Sequence, residues 1–292
     1  MKWLLCILML VSLPGYAMKA AIKIELLPYE QSISQILAIK NTMPLSDKAK
    51  ELSKHPETIC FVANIDEYLP AHKTLKPIYG CIFSDRIAMN AALLRAGLLI
   101  HTKMGMASDN DLFGSKLMTA VGGHDFNGEE LVKYKKQAII PNETLSSHKL
   151  LKSIESEFDQ KIIAPIIEKD KDNFIFFAII NSNKFKENLN HELLHAQYYN
   201  YPEIRPILLQ VWEKAAKNDR QLIMTSLKEG GYDVDQQELL LREFYSYFLQ
   251  YNAKEYLAGV KVLAPLSHLV EVYRPKIKEA LTSAGIKIVS IN

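Results

Sequence analysis

Phe174-Ile175-Phe176-Phe177-Ala178-Ile179-Ile180, then Asn181-Ser182-Asn183, then the run containing His191-Glu192-Leu193-Leu194-His195, is the stretch on which the fold turns. An apolar run without alternation, rich in Phe and Ile, predicts a strand buried on both faces. The polar triplet ends it. Leu189, Leu193, Leu194 and Ala196 then form an apolar stripe. That predicts a helix held against a core, with His191 and His195 on one face. Two imidazoles at this spacing bind a single divalent ion, and Glu192 between them is placed to touch a water on it.

Upstream, Ile22, Ile24 and Leu26 alternate as an opening strand. Helices are expected at residues 32–39 and 47–55. Two strands at 59–63 and 78–83 carry Cys60 and Cys81, and a helix at 85–96 and another strand at 97–104 follow. Residues 106–128 are rich in Gly, Asp and Asn around Gly122-Gly123-His124-Asp125 and read as loop around a short helix. From 144 to 171 the apolar residues recur at helical spacing, interrupted by Pro165. After Pro202 the pattern is mainly helical: 204–217, 220–227, 235–257 and 268–283, with a last short strand at 286–291. The fold class is therefore α+β. A mixed part at 18–181 meets a mainly helical part at 182–292, either as two units or as one composite domain. A cleft is expected at the junction, where the histidine helix begins.

The chain starts with Lys2, an apolar run at 3–13 and the small residues of Gly15-Tyr16-Ala17. This is the pattern of an export signal cleaved after Ala17, and it predicts a secreted or periplasmic protein. No later stretch is long and apolar enough for stable membrane insertion after cleavage. The formal net charge is +2, one less once Lys2 leaves. Such a balance carries no electrostatic footprint for nucleic acid or anionic lipid, so a protein or peptide partner is expected. Cys6 leaves with the signal. Cys60 and Cys81 remain, either as a disulfide in an oxidising compartment or as two buried thiols. A sequon stands at Asn142-Glu143-Thr144.

A catalytic zinc takes three protein donors and keeps a fourth position open. On the helix expected at 235–257, Glu243 has Leu239 and Leu240 one turn before it and Ser246 and Tyr247 one turn after. A carboxylate on so apolar a face needs a partner, either a metal or a buried cation such as Arg242 or Arg205. Glu238 faces Leu241 and Arg242, where an ion pair on the helix surface accounts for it. Asp233, Asp235 and His268 are further candidates for the third donor. Tyr247 and Tyr251 follow Glu243 by one and two turns and are candidate donors to an oxyanion, as are His124 and Tyr198. Asn188, Asn190 or an acidic group of a later helix are expected to fix the imidazoles. The aromatic residues around the motif, Tyr199, Tyr201, Phe244, Tyr245 and Phe248 among them, either line a pocket for apolar side chains or form core between helices, the second being favoured.

The segment 188–196, with His191-Glu192-Leu193-Leu194-His195 at its centre, resembles the active-site helix of the zincin metallopeptidases; Gln197 stands where an apolar residue is usual. The resemblance covers 174–200 and Glu243. It implies a mixed sheet packed on that helix, a catalytic Zn²⁺ on His191 and His195, and Glu192 as general base for peptide hydrolysis. The continuation with Gly and His that marks metzincins is absent, since Ala196-Gln197-Tyr198-Tyr199-Asn200-Tyr201-Pro202 follows. Glu243 as third ligand makes the pattern gluzincin-like, although the interval after His195 is longer than in many gluzincins. Two alternatives stay open: a zincin-like scaffold that binds protein without catalysis, and a zinc hydrolase acting on a non-peptide amide or ester.

Overall fold

A computed structural model describes residues 27–28, 58–63, 65, 75–101, 121–137 and 149–290. The export signal, the strand at 22–26, the helices at 32–39 and 47–55 and the sequon lie outside them. Five strands form one mixed sheet in the order β1-β2-β3-β5-β4. They are β1 (Leu27–Pro28), β2 (Ile59–Ala63), β3 (Ile78–Phe83), β4 (Gly123–Asn127) and β5 (Ile175–Ile180). The β1–β2 and β3–β5 pairs are parallel, and β2–β3 and β4–β5 are antiparallel.

The unalternating apolar run of β5 has a direct cause. Ile175, Phe177 and Ile179 join the core on one face of the sheet, and Phe174, Phe176, Ala178 and Ile180 join the core on the other. The second face is covered by α1 (Arg86–His101), α2 (Gly128–Gln137), α3 (Lys149–Phe158) and α4 (Ala164–Asp170). The helical run of α3 and α4 is continuous through a π-helical turn at Asp159–Ile163, and Pro165 follows that turn as the second residue of α4. The first face is covered by α5 (Phe185–Asn200), α6 (Ile204–Glu213), α7 (Lys217–Glu229), α8 (Gln237–Leu249), α9 (Ala253–Ala258) and α10 (Val270–Ser283), with a 3₁₀ turn at Ala264–Leu269 before α10. One hydrophobic core runs from Phe61 and Ile78 through Leu193 and Phe244 to Leu281 and Val289, so the sheet and the later helices share an interior. Among the described residues no helix is long and apolar enough to cross a membrane.

Cys60 and Cys81 stand directly opposite each other in the β2–β3 ladder and are joined as a disulfide. They belong to the core on the face away from α5.

Four expectations from periodicity are corrected. The strand expected from residue 97 is the end of α1, which runs through Gly97 to His101. A side chain at 97 would meet the ring of His124 at 2.8 Å, so the glycine keeps room for β4 rather than marking a break. The Gly-rich segment read as loop contains β4, whose Gly122-Gly123 start suggested a turn. The single helix expected at 235–257 is two helices, because Asn252 takes a left-handed conformation (φ 47°) between α8 and α9. Residues 286–290 are irregular rather than a strand: they pack Ile286 and Val289 into the core, and Gln197 takes up their backbone groups.

That last contact explains why a glutamine follows Ala196. Its Nε2 donates to Lys287 O (2.7 Å), and its Oε1 accepts from Val289 N (3.0 Å) and Tyr245 Oη (2.8 Å). At the end of the same helix, Asn200 exchanges two hydrogen bonds with the backbone of Lys76, just before β3. Thus α5 is tied to the sheet and to the C-terminal segment, and thirteen of its sixteen residues are buried.

Candidate metal centre

The helix α5 presents His191 and His195 from successive turns, and their Nε2 atoms lie 2.9 Å apart. From α8, packed alongside, Glu243 places Oε2 3.5 Å from His191 Nε2 and Oε1 3.5 Å from His195 Nε2. These three buried groups offer donor atoms within 4.8 Å of one another, an arrangement that can hold a metal ion. Glu243 faces the two imidazoles. Arg205 instead meets Glu238 at 2.8 Å on the exposed surface, and Arg242 is buried and turned toward β4. The expected Glu238–Arg242 pair is therefore replaced.

The opposite side of each imidazole is also fixed. His191 Nδ1 lies 2.7 Å from Gln250 Oε1, an atom that only accepts, so the proton resides on Nδ1. His195 Nδ1 lies 3.0 Å from Ser246 Oγ. With each Nδ1 engaged from behind, the two Nε2 atoms and the Glu243 carboxylate converge on one point. Burial holds His195 neutral, lowering its pKa to about 4. Glu243 Oε2 has no hydrogen-bond partner. Buried acceptors facing acceptors are stabilised by a cation. Tetrahedral zinc with bonds of about 2.0–2.1 Å keeps its donors about 3.4 Å apart; here the two Nε2 atoms lie 2.9 Å apart, and each is 3.5 Å from one of the two carboxylate oxygens.

Gln250 and Ser246 fill the role expected of Asn188 and Asn190. Asn190 instead accepts from Tyr251 N and donates to Val289 O. Gln250 reaches His191 only because α8 ends at Leu249. Arg274 of α10 completes that end by donating to the carbonyls of Phe248 and Gln250.

Glu192 is 6% exposed, and its Oε2 has no hydrogen-bond partner. Burial, with the carboxylates of Asp125 and Glu243 nearby, pushes its carboxyl well above the usual carboxylate range. It lies against the start of β4, where a side chain on Gly123 would come within 2.5 Å of Glu192 Oε1. The same face of β4 carries Asp125, whose Oδ1 is 3.9 Å from His195 Nε2. Asp125 Oδ2 accepts from Tyr199 Oη at 3.2 Å and lies 3.5 Å from Arg242 Nη2. Asp125, Glu192 and His195 form a second buried group of donors sharing His195 with the first. The loop reading hid Asp125; its alternation with His124 and Phe126 is the signal that a strand reading would have used.

The ring of Tyr247 rests 4.5 Å from that of His191, and its hydroxyl lies 2.8 Å from that of Tyr232. Burial raises the pKa of both phenols, keeping them protonated as donors. Tyr247 is thus beside His191, whereas Tyr251 lies beyond the end of α8, 40% exposed with Lys186 over its ring. His124 points to the other face of β4, with Nε2 2.9 Å from Asn90 Oδ1. Tyr198 packs in the core against Tyr245. Asp233 braces the turn before α8, and Asp235 and His268 are exposed, so none is a third donor. Comparison with protein-family models, with curated proteins and with solved structures finds no match to this chain.

Proposed function

We propose that the protein is an exported zinc metallopeptidase that hydrolyses peptide bonds in protein or peptide substrates, with Glu192 as general base. The convergence of His191, His195 and Glu243, each imidazole locked from behind, carries this reading. The N₂O donor set suits zinc. When bound, the ion lowers the pKa of a water toward neutrality and polarises a carbonyl. Export is supported by the N-terminal pattern and by the Cys60–Cys81 disulfide.

The chain's own groups divide the remaining work. Glu192 takes the proton of the attacking water at its unpartnered oxygen and returns it to the leaving amine. Burial beside Asp125 and Glu243 raises its carboxyl above the usual carboxylate range. Tyr247, protonated and beside His191, donates to the oxyanion, and Tyr232 orients its hydroxyl. Gly123 leaves space for Glu192 against β4.

The test compares wild type with Glu192→Gln on a peptide library, with ester and amide substrates alongside. The expected result is peptide cleavage by wild type alone and equal zinc content in both. Full cleavage by the variant contradicts the mechanism, and hydrolysis of esters or small amides alone contradicts the substrate class.

A further inference from the structure

We infer that Tyr256 is a substrate-binding residue, whose hydroxyl donates to the first main-chain carbonyl beyond the leaving amine of a bound peptide. This deepens the zinc peptidase reading and rests on it.

A turn in the chain sets Tyr256 beside the proposed centre. Asn252 takes its left-handed conformation shortly after α8 ends, and α9 packs back against α8. The ring centre of Tyr256 thereby stands 6.3 Å from that of Tyr247, which itself lies 4.5 Å from that of His191. Lys184, just before α5, sets its ammonium 4.7 Å from the centre of the Tyr256 ring. Gly259 leaves room for that ammonium, since a side chain there would come within 3.1 Å of Lys184 Nζ. The half-buried ring is thus held between the start of α5 and the end of α8.

Its hydroxyl is the spare donor of a phenol cluster. Tyr232 and Tyr247 hydrogen-bond each other, whereas among the described residues the Tyr256 hydroxyl has no hydrogen-bond partner. Burial, and after it the carboxylates of Glu192 and Glu187, push the Tyr256 phenol up to about 12, so it stays a donor at neutral pH. The charge of Glu192 therefore reaches this hydroxyl, and Glu192 Oε2 is itself buried and unpartnered. A donor and an acceptor, both unengaged, are what a peptide group completes. A neutral carbonyl suits a phenol set among carboxylates, where an anionic substrate group would be repelled.

The direction of the substrate follows from the work assigned to Glu192. It passes its proton to the leaving amine, so the amine half of the peptide lies on its side. The next carbonyl along that half is the acceptor that Tyr256 meets. Tyr247, against His191, serves the reacting carbonyl instead. The two phenols hold successive carbonyls, one on each side of the bond to be cut.

Cobalt-substituted wild type and Tyr256→Phe test this without a substrate. Each is titrated with acetohydroxamate, which supplies a metal-binding group alone, and with the malonyl hydroxamate of leucyl-phenylalanine amide, which adds main-chain carbonyls on the amine side. The cobalt d–d spectrum reports binding. The expected result is about tenfold weaker binding of the peptide hydroxamate by Tyr256→Phe, with acetohydroxamate affinity and metal content unchanged. The variant keeps the ring against Lys184 and loses only a hydroxyl that no described residue engages. Equal affinity of the two proteins for the peptide hydroxamate overturns the role of Tyr256 while leaving the zinc reading intact. An equal loss for both hydroxamates also overturns it, because the change then lies at the metal and not at the added carbonyl. Wild type that takes up neither cobalt nor zinc overturns the zinc reading and this inference with it.

Discussion

His191 and Gln250 are joined through Nδ1 and Oε1 at 2.7 Å, and the glutamine occupies the first position after α8 ends. A candidate histidine ligand on one helix is thus aimed by the stop of another. Gln250→Ala removes the acceptor and frees the ring to rotate or change tautomer. Zinc affinity is expected to fall about 10–100-fold, read by chelator competition. Loss of Arg274, which holds the same helix end, is expected to weaken zinc in the same direction by a smaller factor.

Gly123→Ala places a methyl within 2.5 Å of Glu192 Oε1. The carboxylate must shift, while His191, His195 and Glu243 stay in place. Peptide hydrolysis is expected to fall by at least about tenfold with zinc content unchanged, since general-base efficiency depends on position. The stability cost is expected at about 1–3 kcal/mol by thermal unfolding.

The metal-free protein has a pH dependence whose sign follows from His195. Its folded pKa, about 4, lies below the ordinary histidine value of 6.5 because burial disfavours the charged form. The unfolded chain therefore binds a proton that the folded chain rejects as pH falls. The contribution of the neutral imidazole is complete above pH 6.5 and is lost progressively down to about pH 4, by on the order of 3 kcal/mol. Denaturant midpoints of zinc-free wild type between pH 8 and pH 4 check this. In His195→Ala that component of the slope is expected to disappear.

The disulfide and the candidate metal ligands of α5 lie on opposite faces of the sheet. Cys60→Ala with Cys81→Ala is expected to lower stability by about 3 kcal/mol, the scale for a loop of this length. Zinc content is expected to remain unchanged. A double variant that folds yet loses zinc would show that the two faces are coupled.

The sequence was most legible where periodicity and chemistry agreed. The unalternating run of β5 and the apolar stripe of α5 yielded the strand, the helix and its two histidines. Glu243 followed from a single carboxylate on an apolar helix face. Legibility failed where backbone conformation and tertiary contact decide. Gly122-Gly123 has the composition of a turn, yet β4 pairs along β5 and carries Asp125 to the site. Gly97 reads as a breaker, yet lies within α1 because His124 needs its space. The left-handed Asn252 separates α8 from α9 within an apolar pattern that continues past it, which hid the role of Gln250 and misdirected Tyr251. Gln197 looked like a departure from an apolar position, and its meaning appears only with the C-terminal segment ninety residues later.

Metal analysis of wild type and His195→Ala, purified side by side from zinc-supplemented growth, tests the assignment most directly. The His191–His195–Glu243 arrangement predicts about one zinc per wild-type chain and almost none in the variant, with both proteins folded. Metal-free wild type, or equal zinc in the two proteins, would contradict it.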